Sequence, residues 1–263
     1  VGSSIRKRSE ASKTIKDNTQ LLALDRSMMD VFGKAFIAFH GGDRTPCRIH
    51  RDDGYVEEHD LAPYFQEYQN WPDYEKKALE YVKGRVLDIG CGPGRHSLYL
   101  QHKNFEVVAV DSSPLAIEVA HLRGVANCRA MSAFHLDFPP RSFDTVLLMG
   151  NNFGIAGNIE GTKKLLNLLD ELTMRNARLI TTCRNPLQTN KPEHLAYHDL
   201  NRRRGRPAGQ VTIRIEYKGQ LGDWFDLLMV EPEAMAEICA DPHWGVEALF
   251  ESEDMYSSVL RKQ

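Results

Sequence analysis

One stretch constrains this chain more than any other: Val86-Leu87-Asp88-Ile89-Gly90-Cys91-Gly92-Pro93-Gly94-Arg95. A short apolar run carries an acid, and three glycines alternate after it. Glycine tolerates positive φ and lets the backbone approach a ligand closely. The helical sequence that follows, through Leu98 and Leu100, offers free N–H groups at its start. Such a strand–loop–helix unit suits a small polar ligand held outside the carboxyl end of a parallel strand. Three ligand classes compete for it. A mononucleotide P-loop needs Gly-Lys-Ser/Thr, whereas this chain has Gly94-Arg95-His96. A dinucleotide loop spaced from Gly90 and Gly92 needs its third glycine at 95, where Arg95 obstructs close helix–strand contact. The remaining pattern is acid-x-Gly-x-Gly-x-Gly.

The surrounding rhythm predicts an α/β domain. Strand patterns at Arg85–Ile89, Phe105–Val110, Asn127–Met131, Phe143–Met149 and Ala177–Cys183 alternate with helical stretches. Those stretches include Ser113-Pro114 to Gly124, and Glu160–Met174 with its leucine face. Alternation of this kind indicates βαβ units, and continuous apolar strands indicate a parallel sheet covered on both faces. Before it, residues 1–20 read as a polar arm and Leu21–Phe32 as a helix. Ala35–Phe39 is an apolar run ending at Gly41-Gly42. Two short strands flank the turn Asp52-Asp53-Gly54, and Pro72 opens a helix that Gly84 closes. After the core, residues 184–209 are polar. Val211, Ile213 and Ile215 alternate as a half-exposed strand, with Trp224–Val230 as its expected partner. A helix follows Glu231-Pro232-Glu233, and Val246–Leu260 closes the chain as a strand or strand pair. The expected organisation is 1–70 as an N-terminal arm and helix/hairpin cover, and 71–263 as the ligand-binding domain, with 184–209 inserted as part of the cover.

Composition narrows the function classes. The net charge is −3, so no global basic field favours DNA. No apolar run approaches the roughly 18 residues of a membrane helix. The five cysteines, Cys47, Cys91, Cys128, Cys183 and Cys239, form no CxxC pair. Neither a disulfide framework nor a structural zinc site is expected, and a reducing, cytoplasmic location fits. No secretory leader is visible at Val1-Gly2-Ser3-Ser4.

Asp88-x-Gly90-x-Gly92-x-Gly94 resembles the first motif of class I S-adenosylmethionine-dependent methyltransferases. The second motif is in register: Val107-Val108-Ala109-Val110-Asp111, then Ser112-Ser113-Pro114 at a helix start. Ser142-Phe143-Asp144-Thr145-Val146 is similar to the family's fourth strand, and Glu231-Pro232-Glu233 with the closing strand to its tail. The resemblance covers residues 72–183 well and 210–263 loosely. Arg51-Asp52-Asp53-Gly54-Tyr55 resembles N-terminal extensions of uncharacterised bacterial members. The family implies a Rossmann-like fold: a seven-stranded, mostly parallel sheet with helices on both faces and an antiparallel C-terminal strand. It implies an enzyme that uses S-adenosylmethionine and releases S-adenosylhomocysteine.

Residue by residue, the resemblance gives Asp111 to both ribose hydroxyls. Asp88 orients the loop and receives the methionine ammonium through backbone or water. Gly90, Cys91, Gly92 and Gly94 line the methionine and ribose, and Ser112 sits near the adenine edge. Many relatives hold the adenine amine with an acid after the third strand. This chain has Met131-Ser132-Ala133 there, so Ser132 and Ala133 take that place, with Asp137 as a substitute acid. Met149 and Gly150 pass under the sulfonium.

Methyl transfer from a sulfonium is an in-line displacement, in which the protein mainly aligns the reactants. No universal catalytic residue is expected, and a base is needed only where the acceptor must lose a proton first. Asn151 and Asn152 could orient an acceptor, or simply satisfy a turn. The sequence Asn151-Asn152-Phe153-Gly154 lacks the two prolines of base-methylating members, which disfavours a flipped nucleobase. His194 and His198, at i and i+4, share a face if a helix forms there. They could serve as a base or, with Glu193 or Asp199, hold a metal, although no metal is expected. His96 and His135 are further histidines near the loop and the adenine side. Tyr64, Phe65, Tyr68 and Trp71 are either a lid or core staples. Arg202-Arg203-Arg204-Gly205-Arg206 could meet a phosphate or carboxylate, or be a solvated loop. The expected reaction is methylation of oxygen or nitrogen on a small-molecule acceptor, away from DNA and membranes. An RNA or protein substrate and a non-catalytic cofactor-binding module remain alternatives.

Overall fold

The computed structural model describes residues 30–241 and 243–263. The polar arm and most of the Leu21–Phe32 helix lie outside the described residues. The first described helix, α1, is Val31–His40, so the apolar run Ala35–Phe39 is its buried face and not a separate element. Asp30 caps it: Oδ1 accepts from the Gly33 N–H at 2.8 Å. The helix therefore starts just where the sequence pattern seemed to end one.

The main sheet takes its strands from β3 (Val86–Ile89), β4 (Val107–Asp111), β5 (Cys128–Ala130), β6 (Phe143–Leu148), β7 (Thr173–Arg184), β11 (Trp244–Ser252) and β12 (Met255–Lys262). Their order is β11-β12-β7-β6-β3-β4-β5. β3 to β7 run parallel, β12 runs against β7, and β11 runs against β12. The seven-stranded, Rossmann-like fold is as expected, and Val246–Leu260 resolves into a strand pair.

Apolar strands bury side chains on both faces, which is what parallel sheets require. On one face Val146 and Leu148 pack with Leu165, Leu166 and Leu169 of α5 (Ile159–Leu172) and with Met235 of α7 (Pro232–Ala240). On the other, Leu147 and Met149 pack with Ala78 and Leu79 of α2 (Asp73–Leu79) and Leu100 of α3 (Arg95–His102). The crossover after β4 is α4 (Pro114–Leu122). Helix α2 stops at Leu79, short of Gly84. Helix α5 stops at Leu172, short of Met174, because the Thr173 Oγ1 hydroxyl donates to the Leu169 carbonyl at 2.7 Å and β7 begins there. No helix among the described residues is long and apolar enough to cross a membrane.

A second, wholly antiparallel sheet covers the C-terminal ends of these strands. The hairpin β1 (Cys47–Arg51) and β2 (Val56–His59) pairs with β8 (Gln210–Tyr217), which also carries β9 (Gln220–Leu221) and β10 (Phe225–Leu228). The cover thus joins chain segments on either side of the main sheet. Within residues 184–209, α6 forms over Pro192–Arg203.

One close approach docks this cover on the core. A Cβ added to Gly154, in the turn after β6, would lie 1.7 Å from the Leu228 carbonyl oxygen at the end of β10. Backbone cannot yield as a flexible side chain can. Gly154→Ala is expected to cost about 3 kcal/mol, read as a lower urea midpoint with an unchanged m-value. Wild-type stability would show that the cover does not dock at this turn.

Candidate active site

The glycine loop is built as its sequence demands. The N–H groups of Gly90 and Cys91 donate to the Val110 carbonyl at 2.8 and 3.1 Å, tying the loop to the end of β4. Gly90, Gly92 and Gly94 have φ of +70°, +53° and +81°, the left-handed region where a side chain is strained. A Cβ on Gly94 would lie 2.6 Å from Val125 Cγ2, so the third glycine lets α3 seat closely. Asp111 faces the loop: Gly92 N–H donates to Oδ2 at 2.8 Å and Ser113 N–H to Oδ1 at 2.9 Å. Burial pushes the Asp111 carboxyl up to about 6. No Lys or Arg among the described residues pairs with it. Each oxygen therefore keeps acceptor capacity, and two hydroxyl donors would fit this carboxylate.

The other expected cofactor residues fall at different depths. Met131 N–H donates to the Asp111 carbonyl at 2.8 Å, which brings Ser132 and Ala133 beside Asp111. Ser132 Oγ accepts from the Phe134 N–H at 3.2 Å, Ala133 is buried in the core, and Ser112 is exposed. Asp137 and His135 are exposed. Asp88 is buried beneath the loop, where Ser97 Oγ donates to it at 2.6 Å and burial raises its pKa. Cys91 is buried against Ala109, Ala120 and Val125. Met149 points into the core with Leu147, Ile180 and Trp71, whereas the Gly150 Cα borders open space.

Asn151 and Asn152 have intramolecular duties. Asn152 Nδ2 donates to the carbonyls of Ile89 and Gly90 at 3.1 and 3.0 Å, and a Cβ on Gly90 would collide with it. Asn151, at φ +69°, accepts the Arg184 N–H on Oδ1 at 2.7 Å. Asn152 thus pins the loop from the side, and Asn151 joins the ends of β6 and β7.

The four aromatics split into two groups. Tyr64 and Phe65 join Phe32, Phe36 and Phe39 in a cluster, and Phe36 and Tyr64 lie 3.9 Å from the Cβ position of Gly92. They roof the loop. Tyr68 and Trp71 pack instead on Tyr99, and Trp71 on His96, at the far side of α3. His96 is buried there with Nε2 3.3 Å from Glu75 Oε2, and Arg95 makes a bidentate pair with Glu75 at 2.7 and 2.8 Å. Arg95 Nη1 also donates to the Pro63 carbonyl at 2.9 Å, linking the loop to the roof.

A cavity of about 560 Å³ lies between the second sheet and α6, and none of its lining residues belongs to the glycine loop. Its floor is the inner face of the second sheet (Ile49, Val211, Ile213, Leu227), its roof is α6, and Asn151 and Arg184 close its end. Helix α6 does place His194 and His198 on one face, and both line this cavity. Burial lowers both pKa values. His194 Nδ1 lies 3.1 Å from Thr189 Oγ1. No group of three His, Cys, Asp or Glu among the described residues is placed to hold a metal. Arg51, 8% exposed, also lines the cavity, but Asp53 takes it in two 2.8 Å bonds and the Tyr55 and Tyr197 rings flank it. Three of the four arginines in the cluster are engaged: Arg202 pairs with Asp199, Arg204 donates to Asp52 at 2.7 Å, and Arg206 to Thr212 at 3.2 Å, while Arg203 is exposed.

Sequence reasoning missed His59, which lines the same cavity and whose Nε2 is 2.9 Å from the Tyr64 hydroxyl. The alternation Glu57-Glu58-His59 would put Glu57 and His59 on one face of a strand. Only the pairing of β1 with β8 shows that this face looks inward.

Glu75 is the buried hub between loop and roof, with Arg95 and Glu75 side chains 12% and 6% exposed. Glu75→Ala leaves Arg95 without its carboxylate, which should cost about 3–5 kcal/mol, measured by chemical denaturation. A loss below about 1 kcal/mol would mean the pair is solvated after all.

Comparison with known proteins follows the same geometry. The family described as "Methyltransferase domain" matches residues 86–171, from β3 to the end of α5. A protein named as an uncharacterized methyltransferase, YodH of Bacillus subtilis, is 37% identical over 77 residues, 27% of this chain and 33% of that one. A ubiquinone biosynthesis O-methyltransferase of Xanthomonas euvesicatoria is 35% identical over 83 residues, 29% of this chain and 35% of that one. The chain therefore aligns with about a third of the length of these curated relatives. The fold match is far wider. A Bacteroides fragilis methyltransferase, solved with S-adenosyl-L-homocysteine, superposes with a TM-score of 0.75 at 26% identity, over 89% of this chain and 95% of that one. The CcbJ methyltransferase of Streptomyces caelestis shares the fold alone, at a TM-score of 0.55 and 15% identity over 76% of this chain and 98% of that one. The paired strand ends, the matched segment and these structural neighbours agree: residues 86–171 form a methyltransferase domain, set in a chain whose fold is that of class I S-adenosylmethionine-dependent methyltransferases.

Proposed function

We propose that the protein transfers a methyl group from S-adenosylmethionine to an oxygen or nitrogen of a small molecule held in the cavity of about 560 Å³. The observation that carries the reading is the half-buried Asp111 carboxylate, fixed by the Gly92 and Ser113 N–H groups and left without a cation among the described residues. A vicinal diol is the donor pair such a carboxylate suits. The cofactor, when bound, supplies an electrophilic methyl on a sulfonium. Asp111 would hold the ribose, the glycine loop would admit the methionine side, and Ser132 with Ala133 would border the adenine. Phe36 and Tyr64 would exclude water above the loop. The O-methyltransferase relatives favour a small acceptor, and a cytoplasmic setting fits the reading. Asp199 and Asp52 already pair with Arg202 and Arg204, which leaves less free charge for an RNA.

Calorimetry with S-adenosylhomocysteine tests this. Hydroxyl donors stabilise the Asp111 carboxylate, so ligand and proton compete. Affinity should be constant above the carboxyl value of about 6 and fall as pH drops through it, by up to about tenfold per pH unit. Asp111→Asn should weaken binding about 10- to 100-fold, from the loss of charge-assisted bonds, and flatten that pH dependence. The same variant should not lower Tm at pH 7.5, because a carboxyl raised by burial destabilises the fold when ionised. Full affinity in Asp111→Asn would refute the ribose assignment.

A further inference from the structure

We propose that His59 is the general base of the transfer and that the acceptor therefore attacks through a hydroxyl, a proposal that rests on the methyltransferase reading above. Three histidines line the cavity, His59, His194 and His198. His59 alone also bonds to the roof over the loop: its Nε2 lies 2.9 Å from the Tyr64 hydroxyl, and Tyr64 sits 3.9 Å from the Cβ position of Gly92. It lines the cavity and reaches, through Tyr64, the side chains that lie over the glycine loop. By contrast, His194 spends Nδ1 on Thr189 and meets the Tyr55 ring edge-on.

The second ring nitrogen of His59 has no partner among the described residues. In the tautomer whose Nε2–H donates to the Tyr64 oxygen, Nδ1 carries the lone pair that a base needs. Tyr64 is a suitable orienting group, since burial pushes its pKa up to about 12 and keeps it a neutral phenol. The groups facing His59 are Tyr64, the Phe32 ring, Glu57 and Asp60, which favour the imidazolium, and Arg184, which opposes it. Burial outweighs the acids and keeps the ring neutral. A neutral amine could attack before losing its proton, so a dedicated base points to a hydroxyl. The balance is simple. The hydroxyl proton passes to Nδ1 while the oxygen forms the new O–C bond. The S–C bond breaks and its electron pair stays on sulfur. The imidazolium then returns the proton to water.

Histidine titration by NMR on the full chain tests the placement without an acceptor, with His59→Gln to assign the signal. S-adenosylmethionine carries a sulfonium charge that S-adenosylhomocysteine lacks. A base beside the reacting methyl should titrate at least about 0.5 pH unit lower with the former than with the latter, as a unit charge within roughly 10 Å would impose. His194 and His198 should move less. Equal His59 values in the two complexes, or a larger drop at His194 or His198, would overturn the assignment while leaving the cofactor site intact. Failure of S-adenosylhomocysteine to bind at all would instead remove the methyltransferase reading and this proposal with it. His59→Gln should keep its S-adenosylhomocysteine affinity within about threefold, which separates a base from a cofactor ligand.

Discussion

The hydrogen bond from the Gly92 amide to Asp111 fixes how the ends of two parallel strands face one another. It needs a residue at +53° that can turn its N–H toward the neighbouring strand, which glycine does without strain. It also needs a carboxylate held half-buried with no cation beside it among the described residues. That carboxylate is a liability for the isolated fold, since desolvation disfavours its charge. A protein keeps such a group where a ligand supplies the missing donors. Stability given up at Asp111 is therefore binding energy held ready at the same place, the usual relation between strain and function.

Around this bond the loop is held on three sides. Val110 takes the Gly90 and Cys91 amides, Asn152 bridges the Ile89 and Gly90 carbonyls, and Arg95 runs to Glu75 and Pro63. On the remaining side Asp30 joins α1 to α4: its Oδ2 accepts from Ser113 Oγ at 2.5 Å and from Leu115 N–H at 3.3 Å. The aromatic roof thus hangs from the helix that starts beside Asp111, so roof and carboxylate are positioned by one set of contacts.

The parts legible in the sequence are those set by local chemistry. Positive-φ glycines, acid-ended apolar strands and the leucine face of α5 each follow from neighbours within a few residues. A cover from the N-terminal hairpin and the 184–209 segment was legible, but its sheet was not, because Ile49 pairs with Ile215 and Arg51 with Ile213, across more than a hundred and fifty residues. Strand alternation marks a half-buried face without naming its partner. The same gap hid His59 and the backbone partners of Asn151 and Asn152, which lie on β3, the glycine loop and β7. Helix α1 was not expected over 31–40, because its cap, Asp30, follows a stretch whose apolar residues also suit a helix.

The cavity's own electrostatics limit what it can hold. Arg51 would be a natural anion anchor, but Asp53 already takes its bidentate edge, and Tyr55 and Tyr197 cover its faces at 4.6 and 4.2 Å. Tyr197 in turn donates to Asp52 at 2.6 Å, and Asp52 also accepts Arg204, so the charges of this corner satisfy one another. Freeing Arg51 for a substrate carboxylate would strand Asp53 and forfeit two charge-assisted bonds. Burial meanwhile holds His194, His198 and His59 toward neutrality. Inside a rim that carries Glu57, Arg184, Lys191, Glu253 and Asp254, the floor is the apolar set Ile49, Val211, Ile213 and Leu227. Under the function proposed above, an uncharged acceptor with one ionisable hydroxyl would rest on that floor without disturbing the pairs of Arg51 and Asp52.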